Sequence, residues 1–358
     1  MDWARCFSPG REEDLFPPLP TTSLKKFTYK KLRKATGKFN AGNRIGEDTY
    51  KGTLRRGLHI NPPVADRDAP KTMEVIVRNL SRGLQPGDLP KCLNEIKKLE
   101  KISHPNLVHL VGYCAEPDRR RESRAYCFLV FDLVKNGSAH DRLLDYENPH
   151  KPIAWERRIR IAIQTGLAVE HLHEHGVMYR TFGSRCVLLD EELNVKLSYA
   201  VFPKLNVYKT IADLHKEADP TLTPESITMF LSRAPELFTS YSTTKENDVW
   251  GFGIFLCELL MGKPLSSAPD QETPVLDVLM KCFSDRSIME TSMDPRLIRG
   301  EQRFYDPATV LKMVTIAGMC LQKRPEARPS MKQINKLLDK ISESKVEYGD
   351  EELESFDH

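Results

Sequence analysis

From residue 42 to about 133 the chain is written in strand-like runs, and from about 137 to 342 in helical ones. No other feature constrains its fold as much. The first part holds "EVIVRNL" (74–80), "LVHLVGYC" (107–114) and "YCFLVFDLV" (126–134), with one helical stretch among them, "LPKCLNEIKKLEKI" (89–102). The second holds four apolar-periodic stretches beginning at Trp155, Asp248, Pro307 and Met331. These runs predict a small sheet with one helix, then a larger helical part, within a chain of 358 residues that suits one two-lobed domain or two small ones. Residues 1–26, with "LFPPLPTTS", are expected to form a flexible leader, 27–134 the small lobe, 135–342 the large lobe, and 343–358 an acidic disordered tail. Order is expected to begin at "FTYKKLRKATGKF", where Thr28 caps a helix with Leu32, Ala35 and Phe39 on one face.

Composition excludes several classes. A hydrophobic share of 40% and a charged share of 29% belong to a soluble globular chain. A net charge of +3, spread along the sequence, does not call for nucleic acid. The eight cysteines show no Cys-x-x-Cys pair, so reduced, mostly buried thiols are expected instead of disulfides or zinc. Charges at Arg5, Arg11, Glu12 and Glu13 break any secretory core, and the most apolar stretch, 249–261, carries Glu258 and is too short to span a bilayer. Asp2 stands where myristoylation needs glycine, and Cys6 alone is a weak acylation signal. The expectation is a cytoplasmic protein without a transmembrane segment; the lysines of residues 25–38 read as a solvated helix face, with weak peripheral membrane association as the alternative.

The segment "VMYRTFGSRCVLLDEELNVKLSYAV" (177–201) is similar to the catalytic loop and metal-binding turn of a protein kinase. With "FTYKKLRKAT", the helix at 89–102 and "FLVFDLVKNGSAHDRL" (128–143), in that order, the chain over residues 27–342 resembles the plant receptor-like cytoplasmic kinases. The resemblance implies an α+β, two-lobed protein kinase-like fold: a β-rich N-lobe carrying the αC helix and a larger helical C-lobe. Catalysis in that family needs a Gly-rich loop over the phosphates, a Lys–Glu pair, an Asp beside the attacking hydroxyl, and an Asn and an Asp on Mg²⁺. Each position departs here. The loop reads "IGEDTYKG": Gly46 is kept, but four residues, two of them glycines, are absent before Tyr50. "VIVR" puts Ile76 where a small alanine faces adenine and Arg78 where the lysine stands; Arg78 can still pair with Glu95, the αC glutamate by alignment, but its planar fork does not replace an ammonium at a phosphate. Thr181 replaces the catalytic aspartate, Gly183 the lysine and Cys186 the Mg²⁺ asparagine, while Tyr199-Ala200-Val201 replaces Asp-Phe-Gly. Threonine accepts no proton near neutral pH, and a thiol is a poor ligand for a hard cation. Asp190 and Glu191 are nominal substitutes, Asp190 matching a family aspartate that is not a metal ligand, and "TMFLS" (228–232) departs from the family's peptide-docking platform.

The family's structural positions are kept: Arg180 beside the catalytic loop, Asp248 as the anchor of that loop's backbone, and Glu236 with Arg328 as a buried ion pair. Chemistry lost and scaffold retained together imply an inactive member, a pseudokinase serving as scaffold, adaptor or decoy. Its implied partners are active receptor-like or cytoplasmic kinases, or intracellular immune receptors, at the plasma membrane's inner face. No metal and no cofactor are expected, ATP and Mg²⁺ included. The alternative is a Ser/Thr kinase with weak or atypical activity using displaced groups; a third reading is nucleotide binding without transfer. Two further motifs have bland defaults. His171, Glu174 and His175 match His-x-x-Glu-His by letter but lack a third ligand, and "DRRRESR" (118–124) reads as a solvated turn, with phosphate or partner docking as the sharper option.

Overall fold

The computed structural model describes residues 24–46, 48–55, 72–144, 152–179, 182–198, 234–238, 244–262, 293–299, 302–303 and 305–343. The chain divides into two compact units that part between Leu133 and Val134. The first unit is a six-stranded sheet with one long helix, and the second is mainly helical. That is the mixed α+β architecture expected.

The sheet contains β1 (Lys25–Lys26), β2 (Arg44–Gly46), β3 (Thr49–Arg55), β4 (Thr72–Asn79), β5 (Leu110–Pro117) and β6 (Ala125–Asp132), in the order β1-β5-β6-β4-β3-β2. Strand alternation sorts its side chains between two faces. Val75, Val77, Phe128 and Val130 enter one core cluster with Leu54, Val111 and Cys114. The neighbours that alternate with them on β4, Ile76 and Arg78, point to the other face, as do Cys127 and Leu129 on β6. There α2 (Leu89–Glu100) packs with Cys92, Ile96 and Leu99 buried.

The outer face is closed by the N-terminal arm, a feature the sequence reading placed partly in the leader. Described structure begins at Leu24, ahead of the expected boundary at 27, because Lys25–Lys26 pairs in parallel with Gly112–Tyr113 on β5. Gly112 makes this possible: a Cβ there would lie 2.1 Å from the Lys25 carbonyl oxygen and 2.8 Å from the Phe27 ring. Helix α1 (Tyr29–Ala35) follows, with the Thr28 hydroxyl accepting from the Lys31 N–H. The helix stops at Ala35, so Phe39 is not on its face as expected. A turn with Gly37, Lys38 and Phe39 all at positive φ brings the Phe39 ring back to stack on Phe128 at 5.3 Å.

The second unit is built on α4 (Trp155–Glu174), α5 (Lys245–Met261), α6 (Pro307–Cys320) and α7 (Met331–Glu343), with the short α3 (Ala139–Leu144) and the hairpin β7 (Val187–Leu189)–β8 (Val195–Leu197). Helix α5 is buried all round from Asn247 to Met261, as a central helix apolar on every side must be. Its glycines admit neighbours: a Cβ on Gly251 would meet the Phe182 carbonyl oxygen at 2.6 Å. Arg158 and Asp294 form a buried network that the sequence reading did not find. The Arg158 guanidinium donates to the Ile153 and Leu259 carbonyls at 2.9 and 2.8 Å and to Asp294 at 2.5 Å, and Arg296 supports the same carboxylate. Burial pushes Asp294 up, but Arg296 and Arg158 outweigh it and hold its carboxyl below the usual range.

The six described cysteines are all thiols, five of them buried and Cys186 half-buried. Among the described residues no helix is long and apolar enough to cross a membrane, and no group of three His, Cys, Asp or Glu stands close enough to hold a metal.

Candidate functional site

In the first unit the site positions lie on β2, β3, β4 and α2. Strands β2 and β3 pair Gly46 with Thr49, two paired residues only three positions apart in the sequence. A connection this short needs positive φ, and Asp48 supplies it at +51°. The Asp48 carbonyl accepts from the Asn79 N–H at 2.7 Å, which ties the turn to the end of β4. On β4, Ile76 sits between Lys51 and Phe131 in the ladder, and Arg78 between Thr49 and Leu129. Glu95, on α2, makes an ion pair with Lys98, one turn along the same helix, at 2.8 Å. A partner on the same helix face is close whatever the rest of the sheet does.

In the second unit Asp248 lies fully buried near the start of α5 and accepts from the Tyr179 N–H with both oxygens, at 3.0 and 2.9 Å. His173 Nε2 reaches the same carboxylate at 2.9 Å. Burial pushes the Asp248 carboxyl above its ordinary range, and the His173 and Tyr179 contacts pull against that shift. His173 was missed because its neighbours drew attention as a metal motif. Those neighbours have other roles: the His171 and His175 rings lie 4.4 Å apart, and burial lowers His171, with His175 adding to the effect. Phe182 packs edge-on against Tyr179 and Phe255, and the Tyr179 hydroxyl donates to the Ser198 carbonyl. The loop that should carry catalysis is thus held from both sides.

Gly183 lies extended at φ −176° before the single turn Ser184–Cys186, and the Cys186 carbonyl accepts from the Ser198 N–H at 2.9 Å. Arg180, Thr181, Tyr199 and residues 228–232 fall outside the described residues. Asp190 is occupied structurally: its Oδ1 accepts from the Glu192 and Asn194 N–H groups at 3.0 and 2.8 Å, closing the turn between β7 and β8. Glu191 pairs with Lys135 at 3.2 Å on the surface. Glu236 and Arg328 join through two charge-assisted bonds of 2.6 and 2.8 Å, and Asn247, three residues into the capping box of α5, donates to the same carboxylate. Burial raises Glu236, but its hydrogen bonds to Arg328 outweigh that and hold it below the ordinary range.

Comparison with known proteins agrees with this architecture. A family model for protein tyrosine and serine/threonine kinases matches residues 40–338. The chain is 30% identical over 327 residues to the probable serine/threonine-protein kinase PBL23 of Arabidopsis thaliana, covering 90% of this chain and 77% of the relative. It is 30% identical to the serine/threonine-protein kinase PCRK1 of the same plant, over 97% of this chain and 79% of the relative. With the serine/threonine-protein kinase BIK1 the identity is 27% over 91% and 78%. The two-unit fold, the anchored loop and these likenesses together place the chain in the protein kinase family, as a homologue of the plant receptor-like cytoplasmic kinases.

Proposed function

We propose that this chain keeps the kinase fold for binding and does not transfer phosphate. It acts as a scaffold, adaptor or decoy for active receptor-like or cytoplasmic kinases, or for intracellular immune receptors, in the cytoplasm up to the plasma membrane's inner face. The observation that carries this reading is the β2–β3 hairpin, in which Gly46 pairs directly with Thr49. The donor chemistry supports it. Cys186 offers a thiol to a hard cation, the carboxylate of Asp190 is committed to its own turn, and Glu191 is committed to Lys135. These residues do not fit a magnesium–nucleotide complex. Neither the aspartate base nor the Asp-Phe-Gly aspartate is present in the sequence at 181 and 199. Each such loss alone costs orders of magnitude in rate, and all of them occur together.

The printed names of the relatives favour a second reading, since each is called a serine/threonine kinase. In that reading the chain is a Ser/Thr kinase of weak or atypical ATP-dependent activity. Thermal denaturation with ATP, with and without Mg²⁺, separates the two. The binding reading expects no change in melting temperature, because only a ligand held by the folded state raises it. Saturable, Mg²⁺-dependent stabilisation would overturn the absence of nucleotide binding, and autophosphorylation lost in Arg78→Ala but kept in Asp190→Ala and Glu191→Ala would establish the second reading.

A further inference from the structure

Two basic segments that the sequence separates by some eighty positions meet on one face of the first unit. Residues 24–39 carry six lysines and Arg33 with no acidic residue, and Lys26, Lys30, Lys31, Arg33, Lys34 and Lys38 are exposed. The turn between β5 and β6 carries Arg119, Arg120, Arg121 and Arg124, all exposed. One stacked pair joins them: the Tyr29 ring, at the first position of α1, lies 3.9 Å from Tyr126 at 2° between planes. The Arg124 guanidinium sits 5.8 Å from the centre of the same Tyr126 ring.

The acidic groups nearby are engaged in holding this arrangement. Glu116 accepts from the Tyr29 N–H at 2.9 Å. Asp118 accepts from the Tyr126 hydroxyl at 2.8 Å and from the Arg120 N–H at 3.0 Å. Glu122 remains on the turn's surface. The turn itself is closed by paired backbone bonds, Asp118 N–H to the Arg124 carbonyl at 2.8 Å and Arg124 N–H to the Arg121 carbonyl at 3.0 Å. Its arginines therefore project from a fixed support.

We infer that this face, α1 together with the Arg119–Arg124 turn, is an electrostatic docking surface for an anionic lipid bilayer. The charges are exposed, numerous and spread over a turn and a helix, which suits a plane of headgroups. A phosphopeptide site instead encloses its phosphate among partly buried arginines. Each lysine or arginine brought near an anionic leaflet adds a severalfold gain in partition, and the gain fades within a Debye length. The inference deepens the membrane-proximal part of the proposed function and is independent of whether the chain transfers phosphate. Either can fail without the other.

The test is sedimentation of the unacylated full chain with vesicles of phosphatidylcholine containing phosphatidylserine, against phosphatidylcholine alone. Binding is expected only to the anionic vesicles and is expected to fall as salt rises. The triple change Arg119→Glu, Arg120→Glu, Arg121→Glu, and separately Lys30→Glu with Lys34→Glu, should each lower partition about tenfold or more. All five side chains are exposed, so an unchanged melting curve checks that both variants fold. Reversal at Lys332, exposed on α7, should leave binding intact. Failure of the wild type to sediment with anionic vesicles overturns the inference. So does a triple variant that binds as well as the wild type, or a face that captures a phosphoserine peptide while ignoring vesicles.

Discussion

Gly251 shows how tightly single positions are set in the second unit. Its missing side chain leaves room for the Phe182 carbonyl oxygen, 2.6 Å from where a Cβ would stand. Gly251→Ala is expected to destabilise by about 1–3 kcal/mol, since backbone must shift to admit the methyl group; urea denaturation measures it. Loss of Arg328 is a larger event. Arg328→Ala strands Glu236 beside α5, and a cost of about 3–5 kcal/mol is expected. The pH dependence has a definite sign. The folded-state pKa of Glu236 is depressed, so its contribution is whole above its ordinary value of 4.5 and is lost as pH falls through the lowered one. The wild type should therefore lose stability on acidification more steeply than Arg328→Ala does. His109 behaves oppositely. Its hydrogen bond to Asp132 raises its pKa, with burial opposing, so its small surface contribution is present at low pH and lost as pH rises through the raised value. In Asp132→Asn, the His109 ring should titrate at lower pH by NMR.

Elements differ in how openly the sequence announces them. The long helices were legible because burial repeats with the helical period: on α4, Ala162, Thr165, Val169 and Leu172 form one inward stripe. The same stripe contains Arg158, a charge at a core position, and that was the available signal for the Arg158–Asp294 network. Its acceptor stands 136 positions away, and no local period encodes such a distance. The N-terminal arm was half legible. Thr28 and Leu32 marked α1, but a strand of two residues has no period to detect, and only contact with Gly112 makes it a strand. Two variants test the arm as an element. Leu32→Ala removes a fully buried side chain from the outer core and should cost about 2–5 kcal/mol. Gly112→Ala should expel the Lys25–Phe27 segment, seen as loss of amide protection at the Phe27 N–H that now donates to the Tyr113 carbonyl at 2.7 Å.

For the whole molecule, the nucleotide prediction gathers the separate losses into one measurement. Inserting the four missing residues as a glycine-rich stretch between Gly46 and Thr49 should still give no ATP-dependent stabilisation. Arg78, Ile76 and Cys186 stay as they are, and a cover cannot compensate for the missing lysine and metal positions. A rise in melting temperature after that insertion alone would show that the hairpin was the one barrier. The proposed partners make a parallel demand: variants that leave the fold intact should change capture of a kinase partner without changing phosphate incorporation, which is expected to be nil in each.

By itself the sequence determined the fold class and the family, because these are properties of period and of motif order along the chain. Residue identity is enough to place threonine at 181, cysteine at 186 and tyrosine at 199. Tertiary structure alone decided which partner each retained group found. It gave His173 to Asp248 and Arg158 to Asp294, and it stacked Tyr29 on Tyr126 so that two distant basic segments come together. Such choices depend on distances and desolvation between residues far apart in the chain, which become defined only when the chain is folded.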